Sequence, residues 1–277
     1  MRIAASNIAW DPEEDSAIAA LLTKYSIDAV DVAPAKYFPD PGRATASEIA
    51  AVRTHWADRG IAITGMQALL FGSSGLNVFG NQETRRALLE RLNAVCRIGE
   101  GLHAPRLVFG SPKNRDRSHC DDATTHAIAV DFFGELGAIA EKHGVWICLE
   151  PNPARYGANF MINSAQTADI VAAVAHPAIK MQLDTGAVTI NQEDVRQVID
   201  QFGARIGHVH ASEPDLVPLG DGDTDHALIG NLLRRDLPEQ VVTIEMVATK
   251  NEPHLTSVER AVRVATRHYG AAAGEPS

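Results

Sequence analysis

Apolar runs of strand length alternate with longer amphipathic stretches eight times along this chain. That alternation constrains its fold more than any other feature. The strand-like runs lie at residues 2–6, 29–33, 61–66, 106–109, 145–149, 180–183, 206–210 and 241–245. The helical stretches that follow them lie at 13–25, 46–59, 83–100, 122–143, 164–175, 192–202, 225–235 and 255–269. Repeated strand–helix units imply parallel strands joined by right-handed crossovers. Eight such units close a barrel, whereas a six-stranded doubly wound sheet would leave two over. The first strand–helix turn also lacks the G-x-G-x-x-G of a dinucleotide fold. The 277 residues therefore suit a single (β/α)8 TIM barrel over 1–270, with 271–277 as a small, frayed tail.

Lys and Arg number 25 against 35 Asp and Glu, a formal charge of −10. A surface of that sign repels nucleic acid and anionic lipid, which argues against DNA processing and membrane docking. No apolar run approaches the ~18 residues of a membrane span. The chain starts directly in a strand-like segment without the apolar core of a signal peptide. Its three scattered cysteines, Cys96, Cys120 and Cys148, suit a reducing compartment, so the expected location is the cytoplasm.

In a barrel of this class the catalytic groups sit at the C-terminal ends of the strands. The fifth strand ends on Glu150, the sixth on Asp184, the seventh on His210 and the eighth on Glu245. Three carboxylates held at one rim repel each other and raise one another's pKa unless a cation neutralises them. One divalent ion is therefore expected, bound by Glu150, Asp184, His210 and Glu245. An oxygen-rich set with one imidazole and no thiolate suits Mg, Mn or Co rather than structural zinc. Any one of these residues alone would be an ordinary solvated strand end; the ordered set of four carries the metal reading.

The fourth strand runs into Gly110-Ser111-Pro112-Lys113-Asn114-Arg115-Asp116-Arg117, three cations within five residues at the same rim. Lys113 and Arg115 are expected to clamp a phosphate or carboxylate of the substrate, Arg115 bidentately. The competing reading is a solvated loop with salt bridges to Asp116, Asp121 and Asp122. Lys36 after the second strand and Gln67 at the end of the third are further candidates for the pocket. His208 faces the same way as His210, because strand side chains repeat every second residue. It is expected either to support the site or to be a hydrogen-bonded residue of the barrel interior. Asp121 and Asp122 are read as a helix start, Cys148 as a core thiol, and 218–226 as a turn leading into a helix cap.

The ordered set Leu149-Glu150-Pro151-Asn152, Leu183-Asp184-Thr185-Gly186, His208-Val209-His210 and Ile244-Glu245 resembles the sugar phosphate isomerase/epimerase group of the xylose isomerase-like TIM-barrel superfamily, which includes the ketose 3-epimerases. The resemblance implies that Glu150, Asp184, His210 and Glu245 ligate the metal. It also implies that Glu150 and Glu245 are paired acid/bases on opposite faces of the substrate, and that Glu213 matches a further family glutamate at the sugar site. Ala187 and Leu216 stand where the ketose 3-epimerases carry a histidine and an arginine that hold the sugar. The extra histidines of a three-metal abasic-site endonuclease are missing, since the first three strands end near Asn7, Pro34 and Gln67. The implied activity is a divalent-metal-dependent isomerase or epimerase acting on a small sugar-like, anionic substrate through a metal-stabilised enediolate. The alternatives are a keto-inositol-type dehydratase and a non-catalytic sugar-binding barrel, with a metallo-endonuclease last. The expected partner is the small carbohydrate-like substrate, with no nucleic acid and no membrane; a homo-oligomer is left open.

Overall fold

The computed structural model describes residues 1–270. Within them eight parallel strands pair in chain order and close on themselves. These are β1 (Arg2–Ser6), β2 (Ala29–Val32), β3 (Ala62–Met66), β4 (Arg106–Phe109), β5 (Trp146–Leu149), β6 (Ile179–Asp184), β7 (Ile206–Ser212) and β8 (Val241–Glu245). The surrounding helices are α1 (Asp15–Lys24), α2 (Ala46–Ala57), α3 (Gln82–Leu102), α4 (Asp122–Lys142), α5 (Ser164–Val174), α6 (Thr185–Asn191), α7 (Val195–Phe202), α8 (His226–Asp236) and α9 (His254–Tyr269). The chain is thus the single (β/α)8 barrel that the alternation predicts. The tail read as frayed, 271–277, lies outside the described residues. Among the described residues no helix is long and apolar enough to cross a membrane.

Local chemistry starts the helices where the amphipathic stretches begin. Thr45 and Glu48 form a capping box at α2, and the side chains of Asn81, Asp121, Asn163 and Asp225 each accept a main-chain N–H in the first turn of their helix. The apolar faces of these helices pack on the outside of the barrel around Trp10, Trp56, Leu88, Leu92, Phe109 and Phe133, all buried. The strands carry apolar residues on that outer face, as a sheet covered on both sides requires.

Two departures from the sequence reading bear on the site. Helix α6 begins directly at the end of β6, ahead of the helix expected at 192–202. Thr185-Gly186-Ala187-Val188-Thr189 mixes glycine with β-branched residues, a poor helical sequence by propensity. The helix is set by Asp184, whose Oδ1 accepts from Ala187 N at 2.6 Å and so caps it. Strand β7 continues past His210 to Ser212, because Ala211 and Ser212 still pair with Ile244 and Glu245 of β8. The ladder sets Asp184 opposite His210 and Ser212 opposite Glu245, which brings the last residues of β6, β7 and β8 to one rim.

Beneath that rim the barrel interior holds a buried polar cluster. His208 Nε2 lies 2.6 Å from Asp31 Oδ2, and Asp31 also accepts from Thr64 Oγ1 at 2.9 Å and Thr243 Oγ1 at 2.8 Å. All four side chains are buried. A Cβ on Gly65 would come within 2.7 Å of Asp31 Oδ2, so β3 passes this carboxylate with its one glycine.

Candidate metal centre

Glu150, Asp184, His210 and Glu245 each offer one ligand atom, and these atoms all lie within 4.8 Å of one another. His210 Nδ1 is 3.2 Å from Glu245 Oε2, 3.3 Å from Glu150 Oε1 and 4.0 Å from Asp184 Oδ2. Each carboxylate is held by a donor of its own. Ser212 Oγ donates to Asp184 Oδ2 at 2.9 Å, Gln67 Nε2 to Glu245 Oε1 at 2.7 Å, and Asn152 Nδ2 to Glu150 Oε2 at 3.1 Å. Glu150 lies so close to the end of β4 that a Cβ on Gly110 would stand 1.9 Å from its Oε2. Only glycine leaves room for that carboxylate.

The electrostatics show a site short of positive charge. Burial, together with the charges of Glu245 and Glu150, pushes the Asp184 carboxyl well above its ordinary value. Burial would lower His210, but the charges of Glu245 and Glu150 and their hydrogen bonds hold it well above the usual imidazole range. Three carboxylates around one imidazole, converging within one ion's reach, form a donor set that fits a hard divalent cation.

The remaining sequence candidates fall in different places. Gln67, Lys113 and Glu213 line a cavity of about 970 Å³ whose wall also includes Glu150, Asp184 and Glu245. Arg115 does not line it. Its guanidinium is 1% exposed, and Nη1 donates to the main-chain oxygen of Glu150 at 2.7 Å. Burial lowers its pKa to about 10, against the opposing pull of the Glu150 charge. The expected two-cation clamp therefore lacks its bidentate half. The cause is the short 3-10 turn Pro112–Arg115, which turns Arg115 inward while Lys113 faces the cavity. Arg117 pairs with Asp122 and donates to Asn159 O at 2.9 Å, as the solvated-loop reading has it. Lys36 also misses the cavity, because its ammonium is spent on the main-chain oxygen of Trp10. His208 is the interior residue bonded to Asp31, with its ring centroid 5.3 Å from that of His210.

Glu213 borders the cavity, but its oxygens are committed to its own loop. They accept from Gly220 N at 2.9 Å and Thr224 N at 3.0 Å, and Oε1 lies 2.9 Å from His226 Nε2. Burial would raise its pKa, yet the bonds from His226, Thr224 and Gly220 hold it down to about 2. It organises the loop before α8, including the turn expected at 218–226. Asn152 and Ser212 are further site residues that the strand-end pattern does not single out, although each lies two residues beyond a candidate ligand, Glu150 and His210. Nor does it single out the loop after β3, whose Leu69, Leu70, Phe71 and Leu76 form an apolar wall of the cavity.

A family model described as xylose isomerase-like TIM barrel matches residues 19–267. The chain belongs to that family. In sequence, it is 32% identical over 106 residues to a D-psicose 3-epimerase of Ruminiclostridium cellulolyticum, covering 38% of this chain and 36% of the relative. The chain therefore matches little more than a third of that relative's length. In structure, it superposes on a D-psicose 3-epimerase crystallised in the presence of D-fructose with a TM-score of 0.81 at 19% identity, covering 98% of this chain and 100% of the other. It also superposes on an IOLI protein with a bound zinc atom, with a TM-score of 0.74 at 16% identity and coverage of 98% and 100%. At these identities the likeness of the structures is one of fold. Xylose isomerase-like barrels thus share with this chain the closed sheet whose strand ends carry its candidate ligand set.

Proposed function

We propose that this protein is a divalent-metal-dependent epimerase or isomerase of a small polyhydroxy ketone. The observation that carries the reading is the pair Glu150 and Glu245, each with a carboxylate oxygen close to His210 Nδ1, at 3.3 and 3.2 Å, and each held by a side-chain amide. The D-psicose 3-epimerases among its relatives support the same chemistry. Glu150, Asp184, His210 and Glu245 would hold the ion; bound there, it supplies a Lewis acid for the carbonyl and hydroxyl oxygens of the substrate. The zinc-bound relative supports a divalent ion, and the oxygen-rich donor set favours Mg, Mn or Co.

The proton moves through the two glutamates. One takes the proton next to the carbonyl; the other returns a proton to the opposite face for epimerisation, or to the neighbouring carbon for isomerisation. Gln67 and Asn152 donate through their amide nitrogens and so orient the carboxylates of Glu245 and Glu150. Their carbonyl oxygens, Gln67 Oε1 and Asn152 Oδ1, are buried and have no hydrogen-bond partner. Lys113 is left as the cation for an anionic substituent, while Ala187 and Leu216 make another part of the wall apolar. The free thiols Cys96, Cys120 and Cys148 support a cytoplasmic setting.

The test is proton exchange in D₂O with Mn²⁺-loaded protein, on free and phosphorylated ketoses. Deuterium at the carbon next to the carbonyl, with appearance of the epimer or the aldose, is expected. A fully loaded protein that exchanges no proton on any of them would remove the reading.

A further inference from the structure

The mechanism leaves a buried cation unused. Arg115 is among the largest fully buried side chains, and its Nε and Nη2 make no hydrogen bond. A guanidinium stays charged even when buried, and taking it out of water costs several kcal/mol unless a nearby anion compensates. Its one hydrogen bond goes to the main chain of Glu150, and Glu150 is the anion whose charge it feels. The turn that carries it is pinned from the other side. Asn114 Nδ2 donates to Leu76 O at 2.8 Å, Asn114 O accepts from Val78 N at 2.8 Å, and Ser111 Oγ bonds Asn114 Oδ1 at 2.6 Å. Arg115 is therefore fixed against the end of β5.

The charges of the centre give this a purpose. Three carboxylates, a neutral imidazole and a divalent ion sum to −1, and a low-dielectric pocket penalises that excess. We propose that Arg115 is a positioning residue of the metal centre: it fixes the main chain under Glu150 and supplies the one positive charge that the loaded site lacks. The proposal rests on the metal-binding reading above. It also reassigns the cationic loop, with Lys113 facing the substrate and Arg115 facing the centre.

The full-length variants Arg115→Met, Arg115→Gln and Arg115→Lys test it, each shown to be folded by circular dichroism. Binding of Mn²⁺ is measured by calorimetry and of Tb³⁺ by luminescence. Both neutral variants should lose about tenfold or more in Mn²⁺ affinity, the usual cost of removing a supporting partner of a metal ligand. Arg115→Lys, which keeps a charged donor for the main-chain oxygen of Glu150, should recover most of it. The ratio of Tb³⁺ to Mn²⁺ affinity separates charge from packing. Without Arg115 the protein's own share of the site is one unit more negative, so the ratio should rise in Met and Gln and stay near wild type in Lys. Lower affinity for both ions with an unchanged ratio would make Arg115 a packing residue and overturn the proposal. So would Mn²⁺ binding within twofold of wild type in a neutral variant. If Arg115→Met does not fold, Arg115→Gln and Arg115→Lys give the same comparison. A wild-type protein that binds neither ion would remove the metal centre itself, and Arg115's role with it.

Discussion

Two buried polar clusters share the inside of this barrel, and two histidines on one strand divide them. His208 faces Asp31, a single carboxylate that also accepts from Thr64 and Thr243. His210, two residues on, faces three carboxylates with one side-chain amide or hydroxyl donor each. Both clusters are buried and both combine imidazole with carboxylate. They differ in balance: the lower cluster satisfies its charge with its own donors, whereas the upper one has more negative charge than its donors can neutralise. Burial of polar groups thus does not mark a functional site by itself. An imbalance that persists at the mouth of a cavity does.

The largest expected effect breaks the upper cluster's chemistry. Glu150→Gln and Glu245→Gln should each lower turnover by about 10² to 10⁴ once metal occupancy has been brought to wild type and verified by elemental analysis. A loss well below tenfold at full occupancy would take that residue out of proton transfer.

Next in size is an opposite response of the two clusters to loss of one carboxylate. Asp31→Asn takes the carboxylate acceptor from His208, Thr64 and Thr243 and should cost about 1–3 kcal/mol in urea unfolding, with or without metal. Asp184→Asn relieves repulsion in the metal-free site and keeps an oxygen for the α6 cap, so metal-free it should be at least as stable as wild type. With Mn²⁺ at a hundred times its Kd, wild type should gain about 2.7 kcal/mol and Asp184→Asn much less. Equal destabilisation by the two variants without metal would erase the distinction between the clusters.

A smaller effect sharpens the role of the amides. Gln67→Leu strips Glu245 of its donor and should lower kcat about tenfold, with Mn²⁺ affinity changed less than kcat. Turnover at the wild-type level would make Gln67 a bystander.

The smallest concerns Glu213, which lies at the cavity but serves its loop. Its carboxyl is held at about 2, below the ordinary 4.5, so its stabilisation is fully present above about pH 4.5 and is lost as pH falls toward 2. Glu213→Gln should cost about 1–3 kcal/mol at pH 7. The gap to wild type should narrow in unfolding curves taken at pH 4 and pH 3. A gap independent of pH would mean that shape and not charge holds this loop.

The strand ends were legible because strand patterning is local: an apolar run stops at a carboxylate or imidazole, and parallel closure then brings every such end to the same rim. Helix α6 was not legible, since a cap made by Asp184 overrides a sequence that by propensity should not be helical. Ser212 follows from the same two-residue period that singles out His208, whereas Asn152 lies past the end of β5 and does not. The cationic loop was visible as composition only, and its division into Lys113 and Arg115 was not.

The order of the chain determined the eight-unit barrel and placed Glu150, Asp184, His210 and Glu245 at its rim, because period and strand direction are properties of neighbouring residues. The tertiary structure alone decided the partners. Gln67 meets Glu245 across 178 positions of sequence, and His208 meets Asp31 across 177. Arg115 turns inward because a short turn anchored by Asn114 to the loop after β3 leaves it no path to solvent. Barrel closure and loop packing set these contacts, and spacing along the chain carries no information about which side of a turn a long side chain will take.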